Sequence, residues 1–195
     1  MWTQWLPFAL VLTLFSGSAI AQWQLNNEQS RLSFVSIKNG DVGEVHRFVD
    51  IEGEVDENGN VMLSISLDSV DTGVQIRDER MRSLLFETNL FPTASFSAQV
   101  GLNKIQAMEP GESRIETVKG RLKLHGVEKG LEVELLITRL TSKKMMVTSL
   151  KPVTLNAAEF SLAEGVERLR KVAELSGISM AVPMNFVMTF EEMEQ

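Results

Sequence analysis

Apolar and polar residues alternate one for one through most of this chain. "VMLSISLDSV" sets Val61, Leu63, Ile65 and Leu67 on one side and Ser64, Ser66 and Asp68 on the other. "TASFSAQV" does the same with Ala94, Phe96, Ala98 and Val100. "GLEVELLITRL" aligns Leu131, Val133, Leu135 and Ile137, and "AVPMNFVMTF" aligns Val182, Met184, Phe186, Met188 and Phe190. A period of two is the mark of a strand with one buried face. Further strands are expected over 31–38, 44–55, 116–125 and 144–155. "DENGN" (56–60) predicts a tight hairpin, because Asn-Gly supplies the positive φ angles such a turn requires. "HGVEKG" (125–130) predicts a second turn, and "AMEPGES" (107–113) a surface loop.

Two stretches break the alternation. Over 74–88 a helix brings Arg77, Met81, Leu84, Leu85 and Thr88 to one face. Asp78 and Arg82 are then spaced as an exposed i,i+4 ion pair, whereas Arg77 points toward the apolar stripe. Over 162–176 a second helix aligns Val166, Leu169, Val172 and either Ala173 or Leu175, a stripe suited to packing on a sheet. Ser161 and Glu164 have capping-box spacing, and Gly177 stands where a C-terminal cap belongs.

Eight or so strands, each with one apolar face, bury that face by stacking two sheets or by closing into a barrel. A membrane barrel would want aromatic girdles. The chain has no Tyr, and beyond its first residues it keeps only Trp23 among its tryptophans.

Composition narrows the setting. The 195 residues are 44% hydrophobic and 23% charged, ordinary for one globular domain. A net charge of -7 argues against nucleic acid and against an anionic membrane surface as partners. With no cysteine, disulfides, thiol catalysis, thiolate metal sites and a lipoprotein anchor are excluded. "LPFALVLTLF" (6–15) has the length of a signal-peptide core, and Ala19-Ile20-Ala21 fits its cleavage site, although "MWTQW" lacks a basic residue. The run is shorter than the roughly 20 residues of a membrane span. Cleavage after Ala21 is expected, leaving one domain over 22–195, secreted to a bacterial periplasm and not integral to the membrane. A homodimer stays open.

"SVDTGVQIRDERMRSLLFETNLFPTASF" resembles the YceI-like family of periplasmic polyisoprenoid-binding proteins, through Thr72, Arg77, Asp78, Leu84, Phe86, Phe91, Pro92 and Phe96. "VKGRLKLHGVEKGLEVEL" resembles the same family through Gly120, Leu122, Gly126, Val127 and Lys129. The resemblance runs over essentially all of 22–195. It departs from the family pattern at "NAAEFSLAEGVERLRKV", where Asn156 and Glu159 flank Phe160, so a lid or rim particular to a subgroup is expected over 156–176. The resemblance implies a mainly β protein: an eight-stranded antiparallel lipocalin-like β-barrel with one or two short helices. Its bore would hold an isoprenoid lipid, such as a quinone tail or polyprenyl chain, as ligand and with no cofactor in the catalytic sense.

Strand parity nominates Phe34, Leu63, Ile65, Phe96, Leu122, Val133, Leu135, Met184, Phe186 and Met188 as walls of such a tunnel. The same residues would equally make a filled core, and a structural or partner-binding, stress-related barrel is the competing reading. Arg77 has two roles open to it: tying the barrel end to a carboxylate or carbonyl, or contacting a lipid headgroup at the mouth. Catalysis finds no residue set. His46 and His125 are the only histidines and lack the spacing of a metal pair. No nucleophile-elbow or phosphate-loop motif is present. Glu52, Glu54, Asp56 and Glu57 read as a solvated strand edge and turn.

Overall fold

The computed structural model describes residues 21–193. The leader expected over 1–21 lies, apart from Ala21, outside the described residues. Twelve strands run in chain order: β1 (Ala21–Leu25), β2 (Arg31–Lys38), β3 (Val42–Phe48), β4 (Ile51–Asp56), β5 (Asn60–Ser66), β6 (Val70–Asp71), β7 (Thr93–Gln99), β8 (Ser113–Leu124), β9 (Val127–Thr141), β10 (Lys144–Ser149), β11 (Val153–Asn156) and β12 (Ala181–Glu192). The order β1-β4-β5-β7-β8-β9-β10-β12 returns to β1, so eight antiparallel strands close into a barrel. Closure removes the sheet edges that an open sheet would leave unpaired.

β12 is long enough to serve two walls. Its C-terminal half pairs with β10 and β1, and its N-terminal half pairs with β11 and β2. From there β2, β3 and β6 extend the sheet as a wing beyond the ring. The strand expected over 44–55 is therefore two strands. At Val49 and Asp50 the chain leaves the wing and enters the barrel, and both amides turn to the Ser69 hydroxyl, at 3.2 and 3.1 Å. The strand expected over 144–155 is likewise two, divided before Pro152, which has no amide proton to offer a ladder.

The hairpin at 56–60 forms as its residues dictate. Gly59 has φ of +80°, and the Asp56 carboxylate accepts from the amides of Asn58 and Asn60 at 2.9 and 2.8 Å. The turn read over 125–130 is tighter, only His125 and Gly126, with φ of 49° and 77°. Two elements had no signal in the alternation: β1, too short to show a period, and α2 (Leu102–Gln106), whose Leu102 and Ile105 close one end of the bore.

The helix expected over 74–88 starts as α1 (Gln75–Arg80) and widens into a π-helical segment, Met81–Phe86. Wider turns rotate the inward face, so Met81, Leu85 and Phe86 are buried, while Leu84 is only half-buried. The expected Asp78–Arg82 pair does not form. Asp78 accepts from the Thr72 amide and hydroxyl at 2.8 and 2.5 Å, and Arg82 donates to the Asp68 carbonyl at 3.2 Å.

The later helix, α3 (Ala163–Val172), is shorter than the expected 162–176. Its capping box is absent: Ser161 is left-handed, with φ of 59°, at the end of a 3-10 turn over Ala157–Phe160. Glu174, not Gly177, takes the positive φ after the helix. α3 packs on the π-helical segment, and its stripe lines a cavity between the ring, the wing and the helices rather than a sheet. Gly165 makes that approach feasible, since a Cβ there would lie 2.8 Å from the Leu84 carbonyl oxygen. Arg168 donates to the same carbonyl at 2.9 Å and pairs with Glu87, which His125 Nε2 also contacts at 3.1 Å.

Candidate functional site

The barrel is not a solid plug. Its inward positions enclose two cavities, one of about 150 Å³ inside the ring and one of about 360 Å³ between the ring, the wing and the helices. The first is lined wholly by apolar side chains: Leu63 and Phe96 on β5 and β7, Leu122 on β8, Val133 and Leu135 on β9, and Phe186 and Met188 on β12 contribute. Trp23, 1% exposed, lies at its wall, with the Arg139 guanidinium 5.1 Å from its ring centroid. Cross-strand register sets neighbours in rows, Leu63 opposite Phe96 and Phe96 opposite Leu122.

Gly120 shapes this chamber. A Cβ there would come within 2.2 Å of Phe96 Cζ and 2.6 Å of the Ser97 carbonyl oxygen. The missing side chain leaves the space that the Phe96 ring occupies. Gly53 does the same for Leu63, whose Cδ2 would meet a Cβ at 2.5 Å.

The second chamber is apolar at its floor and polar at its far end. Phe34, Phe48 and Phe86 form an aromatic chain with ring centroids 5.3 and 5.7 Å apart. Segment 156–172, where the sequence departs from the family pattern, supplies Ala157, Phe160, Leu162, Val166 and Leu169 to its wall. Leu32, Ile65, Leu122 and Met184 line both chambers and form the shared waist.

All ten side chains nominated from strand parity thus face these cavities: Phe34 the second, Ile65, Leu122 and Met184 both, and Leu63, Phe96, Val133, Leu135, Phe186 and Met188 the first.

Ser36, Lys38, Glu44, His46, Arg77 and Arg80 line the polar end. Arg77 lies at this mouth, but its terminal nitrogens are committed. Nη1 donates to Glu44 Oε2 at 2.9 Å and Nη2 to the Thr72 carbonyl at 2.7 Å. Lys38 Nζ shares Glu44 Oε2 at 3.0 Å. The Lys38 ammonium, with Arg77, holds the Glu44 carboxyl below its ordinary range against the opposing effect of burial. Thr72, Arg77 and Asp78 therefore form one knot that fixes the start of α1 to the wing.

His46 was missed by the alternation, which read β3 as a mixed strand. It is 3% exposed and points inward, its ring 5.3 Å from that of Phe34 and its Nε2 2.8 Å from Ser36 Oγ. Burial, aided by the nearby Arg77 guanidinium, pushes its pKa down. The signal was its parity: Glu44, His46 and Phe48 pair with Ser36, Phe34 and Leu32 and share their inward face once the register is known.

No helix among the described residues is long and apolar enough to cross a membrane. Nor do they hold a group of three or more carboxylate or imidazole side chains placed to bind a metal ion.

Known structures share this architecture. The chain is similar to a polyisoprenoid-binding domain from Saccharophagus degradans, implicated in plant cell wall breakdown, at 36% identity and a TM-score of 0.88 over 89% of this chain and 100% of that one. It is similar in fold to BcnA of Burkholderia cenocepacia, at 17% identity and a TM-score of 0.65 over 85% and 98% of the two chains. The YceI protein of Campylobacter jejuni matches at 17% identity and a TM-score of 0.57 over 76% and 85%. Among curated proteins no match was found. The family model of the YceI-like domain matches residues 23–190, nearly the whole described barrel, and the chain belongs to that family.

Proposed function

We propose that this protein binds and carries a long isoprenoid lipid, of the polyprenyl or quinone type, in its two-chambered bore, without catalysing a reaction. The observation that carries this reading is the hollow, apolar ring interior that shares four lining residues with a larger chamber whose far end is polar. Each methylene taken out of water contributes about 0.8 kcal/mol, so a long chain needs no charged contact to bind well. Dry apolar cavities of this size accept small hydrocarbons. Met184 and Met188 add walls that adapt to a bent chain. The 36% identical relative, described as polyisoprenoid-binding, supports the same ligand class. With the leader expected at the N-terminus, the carrier would work in the periplasm, taking its lipid from one membrane and releasing it at another.

Native mass spectrometry of the purified protein tests the reading. A co-purified mass that extraction identifies as a prenyl lipid is expected. A bare protein that also takes up no added prenyl chain would leave only the structural or partner-binding barrel.

A further inference from the structure

We propose that the second chamber contains a headgroup site centred on His46, whose Nδ1 takes an uncharged carbonyl or hydroxyl of the bound lipid; this rests on the carrier reading above. His46 Nδ1 is buried and has no hydrogen-bond partner in the protein. Buried polar atoms are almost always paired, and an orphan costs free energy that a partner would recover. This orphan belongs to a side chain that lines the cavity, beside the Phe34 ring and above an otherwise apolar floor. A headgroup atom at this end of the chamber would supply that partner.

The chemistry of that atom follows from the surroundings. The neutral imidazole has one donor and one acceptor nitrogen, and the Ser36 hydroxyl on Nε2 can turn either way. With Ser36 donating, Nδ1–H donates to a carbonyl. With Nε2–H donating to Ser36, Nδ1 accepts from a hydroxyl. One site therefore serves both forms of a headgroup that interconverts between them. Lys38 and Arg77 are already engaged, both on Glu44 Oε2 at 3.0 and 2.9 Å. An anionic headgroup would instead turn to Arg80, the remaining cation lining the chamber.

The test uses the full-length protein labelled with ¹⁵N-histidine. The chain has two histidines, so a His125→Gln variant assigns both sets of signals. Three probes are added in turn: a prenylated benzoquinone, the matching prenyl hydrocarbon without a headgroup, and the matching prenyl phosphate. The quinone is expected to move the His46 Nδ1 resonance, and the hydrocarbon to leave it in place. His46→Leu is expected to weaken quinone binding about three- to tenfold while hydrocarbon binding is kept. If both lipids bind but Nδ1 does not respond, or His46→Leu binds the quinone as tightly as the parent, the headgroup site is overturned and the carrier stands. Tighter binding of the phosphate, lost in Arg80→Ala and kept in His46→Leu, overturns it in favour of an anionic lipid. Binding of none of the three overturns both readings.

Discussion

Arg77 and Glu44 meet across the mouth of the second chamber, Nη1 to Oε2 at 2.9 Å, with each side chain about 30% exposed. The pair binds α1 to β3, and the Thr72 carbonyl on Nη2 adds the turn that leads from β6 into α1. Removing the guanidinium leaves Glu44 to Lys38 alone and the Thr72 carbonyl without its partner. Arg77→Ala should lower stability by about 1–2 kcal/mol and the melting temperature by about 3–8 °C. Arg77→Lys should recover little, because an ammonium cannot span both acceptors. Binding of a prenyl hydrocarbon should be unchanged. Thermal unfolding and lipid titration check both halves; an intact melting temperature with lost affinity for a headgroup-bearing lipid would place Arg77 on the ligand instead.

The sequence made the walls legible and the mouth obscure. Leu63, Phe96, Val133, Phe186 and Met188 sit in strands whose alternation is unbroken, so parity alone aims them inward. On β3 the inward positions are Glu44, His46 and Phe48, and two polar residues on the buried face hide the period. The Ser36–His46 contact exists only in a particular register, which no single strand encodes. Met81–Phe86 misled for another reason: its turns are wider than the helical wheel assumes, which moves Phe86 inward and Leu84 partly out. Closure itself depends on the five residues of β1, in which only Trp23 and Leu25 are buried among those whose side chains are described. That is too short for a pattern.

Gly120 sets how much of the first chamber stays open. A methyl there would press on the Phe96 ring and on the Ser97 carbonyl, and the carbonyl belongs to a strand that cannot yield. Gly120→Ala should cost about 1–3 kcal/mol, as overpacking of a tight interior does. The Phe96 ring should swing toward the bore, so the longest prenyl chain retained should shorten. Native mass spectrometry across a series of chain lengths reads this directly. An unchanged length limit would mean that Phe96 relaxes along the wall.

The waist makes a separate claim about continuity. Met184 lines both chambers, opposite Phe34 on one side and Val153 on the other. Met184→Trp replaces a flexible thioether by a rigid ring at the junction. A short prenyl chain, which one chamber can hold, should still bind. A long one, which must pass from one to the other, should bind at least about tenfold more weakly, given that each excluded methylene forfeits about 0.8 kcal/mol. Equal loss of both chains would show that the variant disturbs the barrel generally, and loss of neither would show that the chambers do not act as one tunnel.

His46 gives the stability a pH dependence whose sign can be worked out. Burial lowers its pKa below the ordinary 6.5, Arg77 and Lys38 add to the effect, and Glu44 and Asp78 oppose it. Between the lowered value and 6.5 the unfolded chain holds a proton that the folded chain does not. Stability should therefore be level above that window and fall as pH falls through it, by at most about 1.4 kcal/mol per pH unit from this group. The Glu44 carboxyl, lowered by Lys38 and Arg77, loses its contribution only at more acid pH, below the ordinary carboxylate value of 4.5. Urea unfolding at a series of pH values from about 8 to about 3, run on the parent and on His46→Leu, separates the two. The variant should lose the slope below 6.5 and keep the acid one. A slope there that persists in the variant would assign it to other groups and leave His46 as easily protonated in the folded barrel as outside it.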